Sequence, residues 1–306
     1  MRFTFGTRFT AALGLLAMMG GGLNLPAAAP GKKTIVATYS ILGAVVKDLV
    51  GDTFKVVTVM PNDTDVHEWE PSAKDVEAMT KADLLVENGI GLEGGMGKAL
   101  DRARKSGVKF FTASDHITIR KVGAGEGIPS GDPDQAVGAE DPHIWTDPLT
   151  IKTVVDALAV DLKQKFGVDL ATRTAGLDQR LTALNAEIQA KVDALPADRR
   201  KLVTGHESLG YFAQRYHFKL VGAVIPGLTD QAESSAANLV ALKKLIRENQ
   251  VTVVFSEMGT PAWTVEALAK ESKVKVVPLT THNLPQGGDY FTFERQLSNT
   301  ILNALK

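Results

Sequence analysis

The 306-residue sequence contains no cysteine. This excludes disulfides and the thiolate sites that hold structural zinc. A metal bound by this chain must therefore be held by histidine nitrogen and carboxylate oxygen. An excess of either charge is missing too. The 34 lysines and arginines against 35 aspartates and glutamates leave a formal net charge of -1. No basic surplus points to nucleic acid, and no acidic excess points to disorder. The most apolar run, residues 9–22, falls short of the about 20 residues that a membrane span needs. The His-Glu-x-x-His motif of zinc hydrolases is absent.

What is present is ordinary globular material. The chain is 44% hydrophobic and 23% charged, enough for two domains of about 100–150 residues each. Arg2 and Arg8 give a positive start, residues 9–22 are apolar and small, and Ala27-Ala28-Ala29 completes an Ala-x-Ala pattern. Residues 1–29 therefore read as a secretory signal peptide. With no thiol for lipid attachment, the expected mature protein is soluble and exported, most simply to a bacterial periplasm.

From residue 34 the pattern alternates. Strands are expected at 34–39, 54–60, 82–87 and 108–112, with helices at 41–50, 72–81 and 92–105. Such alternation indicates an α/β fold with a mostly parallel sheet covered by helices on both faces. Residues 121–141 are rich in Gly, Pro, Asp and Glu and read as a solvated loop or flap. Asp147-Pro148 then starts a helix to about residue 166. Residues 172–195 form one long helix, with Leu177, Leu181, Leu184, Ile188 and Leu195 on one face. At 1.5 Å per residue it spans roughly 36 Å, the length of a domain, and suits a rigid spacer. The α/β alternation resumes with strands at 201–204, 220–225, 251–255 and 274–279 and a closing helix at 291–305. The expected domains are an N-terminal lobe at 30–148, a linker with the long helix at 149–197 and a C-terminal lobe at 198–306. No sequence repeat relates the lobes.

Six histidines are present. His116 and His217 read as surface or satisfied polar residues, His217 at a helix end where a cation suits the dipole. The other four share a placement. His67, His206 and His282 each follow an expected strand within seven residues, the edge where open α/β sheets bind ligands. His67 lies in Asp65-Val66-His67-Glu68-Trp69-Glu70-Pro71-Ser72, and Ser72-x-x-Asp75 is a capping-box start for the next helix. His143 sits just before a helix, at the junction of the halves. If both sheets turn these edges to one cleft, four imidazoles meet there and suit a first-row divalent metal. Asp141, Asp147, Glu68, Glu70 and Glu207 are candidates to orient the rings.

Gly89-Ile90-Gly91-Leu92-Glu93-Gly94 matches Gly-x-Gly-x-x-Gly, with Asp115 near the offset of a ribose ligand. It follows the third strand, whereas a dinucleotide fingerprint belongs to the first βα turn. It is read as a tight structural turn.

Several stretches in order resemble one family. Asp65 to Ser72, Asn88-Gly89-Ile90-Gly91-Leu92-Glu93, Asp141-Pro142-His143-Ile144-Trp145 and Thr204-Gly205-His206-Glu207-Ser208-Leu209-Gly210-Tyr211-Phe212 are similar to the metal-capturing solute-binding proteins of bacterial zinc and manganese ABC transporters. The resemblance covers nearly all of the mature chain. It implies two α/β lobes joined by one long rigid helix, an ion in the interlobe cleft, little lobe motion, and delivery to a membrane permease for import. It implies His67, His143 and His206 as ligands. Manganese-type members commonly carry a carboxylate at the place of His206, so Zn2+ is expected, with Mn2+ or Fe2+ as alternatives. Where the family usually has an aspartate ligand, this chain reads Thr280-Thr281-His282-Asn283-Leu284. His282 is the expected fourth ligand, with water, Asp289 or Glu257 as alternatives. The histidine-rich loop of many zinc-type members is missing, since residues 121–141 hold no histidine. The expectation is a periplasmic, monomeric zinc-binding protein, not an enzyme, with no nucleic-acid partner. A zinc-dependent hydrolase, a surface adhesin and a metal chaperone are the competing readings.

Overall fold

The N-terminal half builds a four-stranded parallel sheet from β1 (Thr34–Ala37), β2 (Lys55–Thr58), β3 (Leu84–Glu87) and β4 (Lys109–Thr112), in the order β2-β1-β3-β4. The structure is a computed structural model that describes residues 1–4, 6, 31–127, 136–232 and 234–306. The chain divides into Met1–Gly31 and Lys32–Lys306. The apolar run and cleavage pattern of the expected signal peptide lie outside the described residues, as do residues 128–135 of the flap. Among the described residues no helix is long and apolar enough to cross a membrane.

β1 and β3 are the central strands. Ile35, Val36, Ala37, Leu84, Leu85 and Val86 are fully buried, as expected of parallel strands covered on both faces. Three helices connect the strands: α1 (Ser40–Val50), α2 (Ala73–Thr80) and α3 (Gly97–Lys105). Ser72 and Asp75 form the full reciprocal capping box at the start of α2. The third helix is shorter than the sequence pattern predicts. Residues 89–91 have three successive positive φ angles (Gly89 87°, Ile90 54°, Gly91 70°), and a 3-10 turn at Gly94–Met96 precedes α3.

That turn disposes of the nucleotide reading. Backbone N–H groups in such a turn form a concavity that attracts anions. Here the Glu93 carboxylate fills it. It accepts the N–H of Asn88 at 2.6 Å, the N–H of Gly89 at 3.3 Å and the hydroxyl of Thr38 at 2.9 Å. Gly89 cannot be replaced cheaply, because a Cβ there would lie 2.2 Å from Ser114 Oγ.

The C-terminal half repeats the arrangement. β5 (Lys201–Thr204) pairs with β6 (Lys219–Ala223), and β7 (Val253–Ser256) pairs with β8 (Lys275–Pro278), both in parallel. These are two two-stranded sheets, and β5 lies beside β7 without a ladder between them, so the spatial order β6-β5-β7-β8 parallels β2-β1-β3-β4. The connecting helices are α6 (Gly210–Tyr216), α7 (Ala236–Glu248) and α8 (Ala262–Ser272).

Between the halves run α4 (Pro148–Phe166) and α5 (Ala171–Asp193), and α9 (Tyr290–Leu305) closes the chain. α5 lies along α4 and against α9 and α1. Its buried face is Leu177, Leu181, Leu184, Ile188 and Val192, so the long helix is a packed element rather than a bare strut. Leu195, expected on that face, falls just after the helix and is buried there. One apolar core continues from the N-terminal sheet through α4 and α5 to α9 and the start of the C-terminal half. A smaller core lies among β5, β6, β7, α7 and α8.

Leu184 is fully buried on α5. Leu184→Ala is expected to cost about 2–5 kcal/mol of stability, measured by denaturant unfolding. A cost below about 1 kcal/mol would mean that α5 is not packed as described.

Candidate metal centre

Four loops deliver the four histidines. His67 lies on the loop after β2, its backbone N–H donated to Asp65 Oδ1 at 2.8 Å. His143 precedes a 3-10 turn at Ile144–Thr146 that leads into α4. His206 follows β5 directly, and Thr204 Oγ1 donates to its carbonyl at 2.5 Å. His282 lies on the loop between β8 and α9. Both sheets therefore turn their C-terminal strand edges to one place, as open α/β folds do at their binding sites.

There the imidazoles meet. His143 and His206 are 0% exposed, and His67 and His282 are 2% exposed. One nitrogen from each ring lies within 4.8 Å of the nitrogens of the other three. The six ring-centre separations are 5.4, 5.5, 5.5, 5.3, 5.8 and 5.0 Å. Six near-equal separations among four points describe a tetrahedron. Zinc–imidazole bonds of about 2.0–2.1 Å, with about 1.1 Å from nitrogen to ring centre, would put the ring centres about 5.2 Å apart. The same bonds give a nitrogen–nitrogen edge of about 3.3–3.4 Å. The Nε2 atoms of His143 and His206 are 3.3 Å apart. Both ring nitrogens of His67 and Nε2 of His282 are buried with no hydrogen-bond partner. Buried polar atoms are normally paired, so Nε2 of His282 and one of the two His67 nitrogens fit lone pairs presented to an ion, the other His67 nitrogen carrying the ring proton.

Burial keeps the rings of His67, His206 and His282 neutral. Burial, then the neighbouring His143, lowers the pKa of His67 to about 3. Burial and the other imidazoles hold His206 and His282 well below the usual histidine value. A neutral imidazole is the form that binds metal.

The surrounding residues sort differently from the sequence reading. Asp141 does orient a ring: its Oδ1 accepts the backbone N–H of His143 at 3.0 Å and faces Nδ1 at 2.9 Å. Arg120 pairs with the other oxygen of Asp141 at 3.1 Å and with Glu126. Gly210 is obligatory beside them, since a Cβ would lie 2.0 Å from Asp141 Oδ2. Asp147 instead caps α4 and accepts Arg215 through both oxygens at 2.9 and 2.7 Å. Glu68 and Glu70 are exposed. Glu207 is buried, and burial lifts its pKa to about 8. Asp289, an alternative fourth ligand, is the N-cap of α9. Glu257, the other alternative, lies behind the histidines rather than among them. His116 stacks on Phe111 with ring centres 4.6 Å apart, and His217 ends α6 in the left-handed conformation.

Three contributors were given no role by the sequence reading, although Asn88 and Trp145 stand in its matching stretches. Asn88 donates Nδ2 to the Pro142 carbonyl at 2.9 Å and accepts the Tyr39 hydroxyl at 2.9 Å, fixing the approach to His143. Trp145 packs edge-on to His143 and His282 and donates Nε1 to the Thr281 carbonyl at 2.7 Å. Asn62 joins the two loops: Nδ2 donates to the Leu284 carbonyl at 2.8 Å, and Oδ1 accepts the Leu284 N–H at 2.9 Å.

The family described as zinc-uptake complex component A, periplasmic (ZnuA), matches residues 35–304. The chain belongs to this family. The zinc-binding protein TroA of Treponema pallidum is 30% identical over 271 residues, 87% of this chain and 82% of that protein. The zinc-binding lipoprotein AdcA of Streptococcus pneumoniae is 30% identical over 81% of this chain, which spans 49% of AdcA. The manganese ABC transporter substrate-binding lipoprotein scaA of Streptococcus gordonii is 26% identical over 84% of this chain and 83% of that protein. The solved structure of the periplasmic zinc-binding protein TroA superposes with a TM-score of 0.76, covering 90% of this chain and 99% of that one. The two-lobed α/β fold of this ZnuA-family chain is thus shared with known metal-binding solute-binding proteins.

The depressed histidine pKa values have a consequence for stability. An unfolded histidine titrates near 6.5, whereas folded His67 titrates near 3. Between those values the unfolded chain binds the extra proton, so this histidine's stability contribution is intact above pH 6.5 and lost as pH falls toward 3. His67→Gln removes that loss. In metal-free protein the stability of the variant relative to wild type should rise by about 2 kcal/mol from pH 8 to pH 5, measured by urea unfolding. A pH-independent difference would contradict a neutral, buried His67.

Proposed function

We propose that this protein captures Zn2+ with the side chains of His67, His143, His206 and His282 and delivers it to the membrane permease of an ABC importer. One observation carries the reading: four buried imidazoles stand at the corners of a near-regular tetrahedron of ring centres, with two Nε2 atoms at a zinc-sized 3.3 Å. The zinc in the names of the family and of TroA and AdcA supports it. Four nitrogen donors favour zinc over manganese, which suits carboxylate, carbonyl and water oxygen. Mn2+ and Fe2+ are the alternative cargoes, manganese because scaA and related streptococcal proteins carry it in their names. Residues 30–148 and 198–306 serve as the two lobes, with 149–197 as the rigid connection.

Capture rather than catalysis follows from the donor count. A hydrolytic zinc site keeps one position open for water beside a general base, and four protein ligands close that position. The place of work is outside the inner membrane, after export by the leader at 1–29. In this reading the protein works there as a soluble monomer.

Elemental analysis of protein purified without added metal should find zinc near one equivalent, and manganese in large excess should not displace it. Preferential retention of manganese would overturn the choice of cargo. Saturating zinc at 100 times Kd is expected to stabilise the fold by about 2.7 kcal/mol, seen as a raised Tm. No shift would remove metal capture altogether. His282→Ala should weaken zinc binding by at least tenfold, while His116→Ala, which alters only the stack on Phe111, should leave it within about twofold. Equal effects would leave His282 outside the site.

A further inference from the structure

Glu257 is fully buried at the C-terminal end of β7, and both of its oxygens are engaged. Oε1 accepts the Gly205 N–H at 2.9 Å. Oε2 accepts the hydroxyls of Ser208 at 2.6 Å and Thr281 at 2.8 Å. Nδ1 of His206 lies 3.5 Å from the same oxygen, within ion-pair range but outside hydrogen-bond alignment. One carboxylate thus stands behind two of the four histidines, whose rings stack 5.0 Å apart with planes 17° from parallel.

Thr281 links the carboxylate to the second ring. Its Oγ1 lies 3.1 Å from Nδ1 of His282. A hydroxyl has one proton. That proton is donated to Glu257 Oε2, so the hydroxyl oxygen accepts from His282. Nδ1 of His282 must then carry the hydrogen, and Nε2 must present its lone pair. Nε2 is the buried nitrogen with no partner. Thr281 itself cannot swing away, because its carbonyl accepts Nε1–H of Trp145 at 2.7 Å.

We infer that Thr281 is a positioning residue for the ion. It relays the Glu257 carboxylate to His282, fixes the tautomer that faces the metal, and lets one buried anion balance the cation across two neutral ligands. This rests on the zinc-capture reading. It also explains how a histidine serves where the resemblance leads one to expect an aspartate. The acidic group has not been deleted from the site; it stands behind His282, just past the end of β7. Partners that orient a metal-bound histidine typically change affinity by about 10–100-fold.

The test combines two variants with a measurement on the wild type. Thr281→Val keeps the shape and removes the hydroxyl; Thr281→Ser keeps the hydroxyl. Zinc Kd should rise about 10–100-fold in Thr281→Val and stay within about threefold of wild type in Thr281→Ser. The tetrahedral absorption of the Co2+-loaded protein should be altered in the valine variant alone. Nitrogen-15 NMR of metal-free wild type should find His282 protonated at Nδ1, a readout that does not depend on any variant folding. Protonation at Nε2, or equal zinc affinity in all three proteins, would overturn the inference and leave zinc capture standing. Failure of the wild type to bind zinc would overturn both.

Discussion

Four imidazoles buried together, each with a ring nitrogen turned to a common centre, are the constraint on which the rest of this structure depends. Each lone pair without a donor costs desolvation free energy. An apolar core of the same shape would be cheaper. The arrangement is stable only because the surrounding fold over-determines it, and it becomes favourable when a cation occupies the centre. Burial serves both states. It keeps protons off the rings, and it lowers the local dielectric so that an ion's charge is felt more strongly.

The two halves meet that constraint by different means. His143 is held by a local carboxylate two residues away, Asp141, which is itself held by Arg120. The Asn88 amide secures the intervening Pro142. His206 and His282 share a distant carboxylate, Glu257, brought to them by the neighbouring strand. His67 has only backbone ties, to Asp65 and to Gln231, whose Nε2 is 3.4 Å from its carbonyl. Its ring is the least constrained of the four. It is carried by the loop that Asn62 fastens to Leu284. With every ring at 2% exposure or less, an ion passes only when such contacts part. The continuous core through α4, α5 and α9 limits how far the halves can move apart.

Much of this was legible in the sequence because it is local. The β-branched runs, the Ser72–Asp75 box and Asp147-Pro148 each announce an element by short-range chemistry, and the structure contains each of them. Element ends were less legible. The pattern carries α3 back to Leu92, but the positive φ angles of Gly89, Ile90 and Gly91 delay it to Gly97. Placing three histidines after strands, and His143 before a helix at the junction of the halves, made convergence readable; their tetrahedral spacing was not, since it depends on strand register in both halves. The supporting residues were hardest. Glu68 and Glu70 sit next to His67 in sequence, yet their side chains face solvent. Glu257 and Thr281 are 24 positions apart and meet only because β7 and β8 pair in parallel. Sequence proximity finds partners of the Asp141 kind and misses those of the Glu257 kind.

X-ray absorption at the zinc edge of the loaded protein tests the central claim most directly. The account predicts a single shell of four nitrogen scatterers at about 2.0–2.1 Å, with the outer-shell multiple scattering of four imidazoles. A shell of five or six light atoms at longer distance, or outer-shell scattering from fewer than three imidazoles, would contradict it.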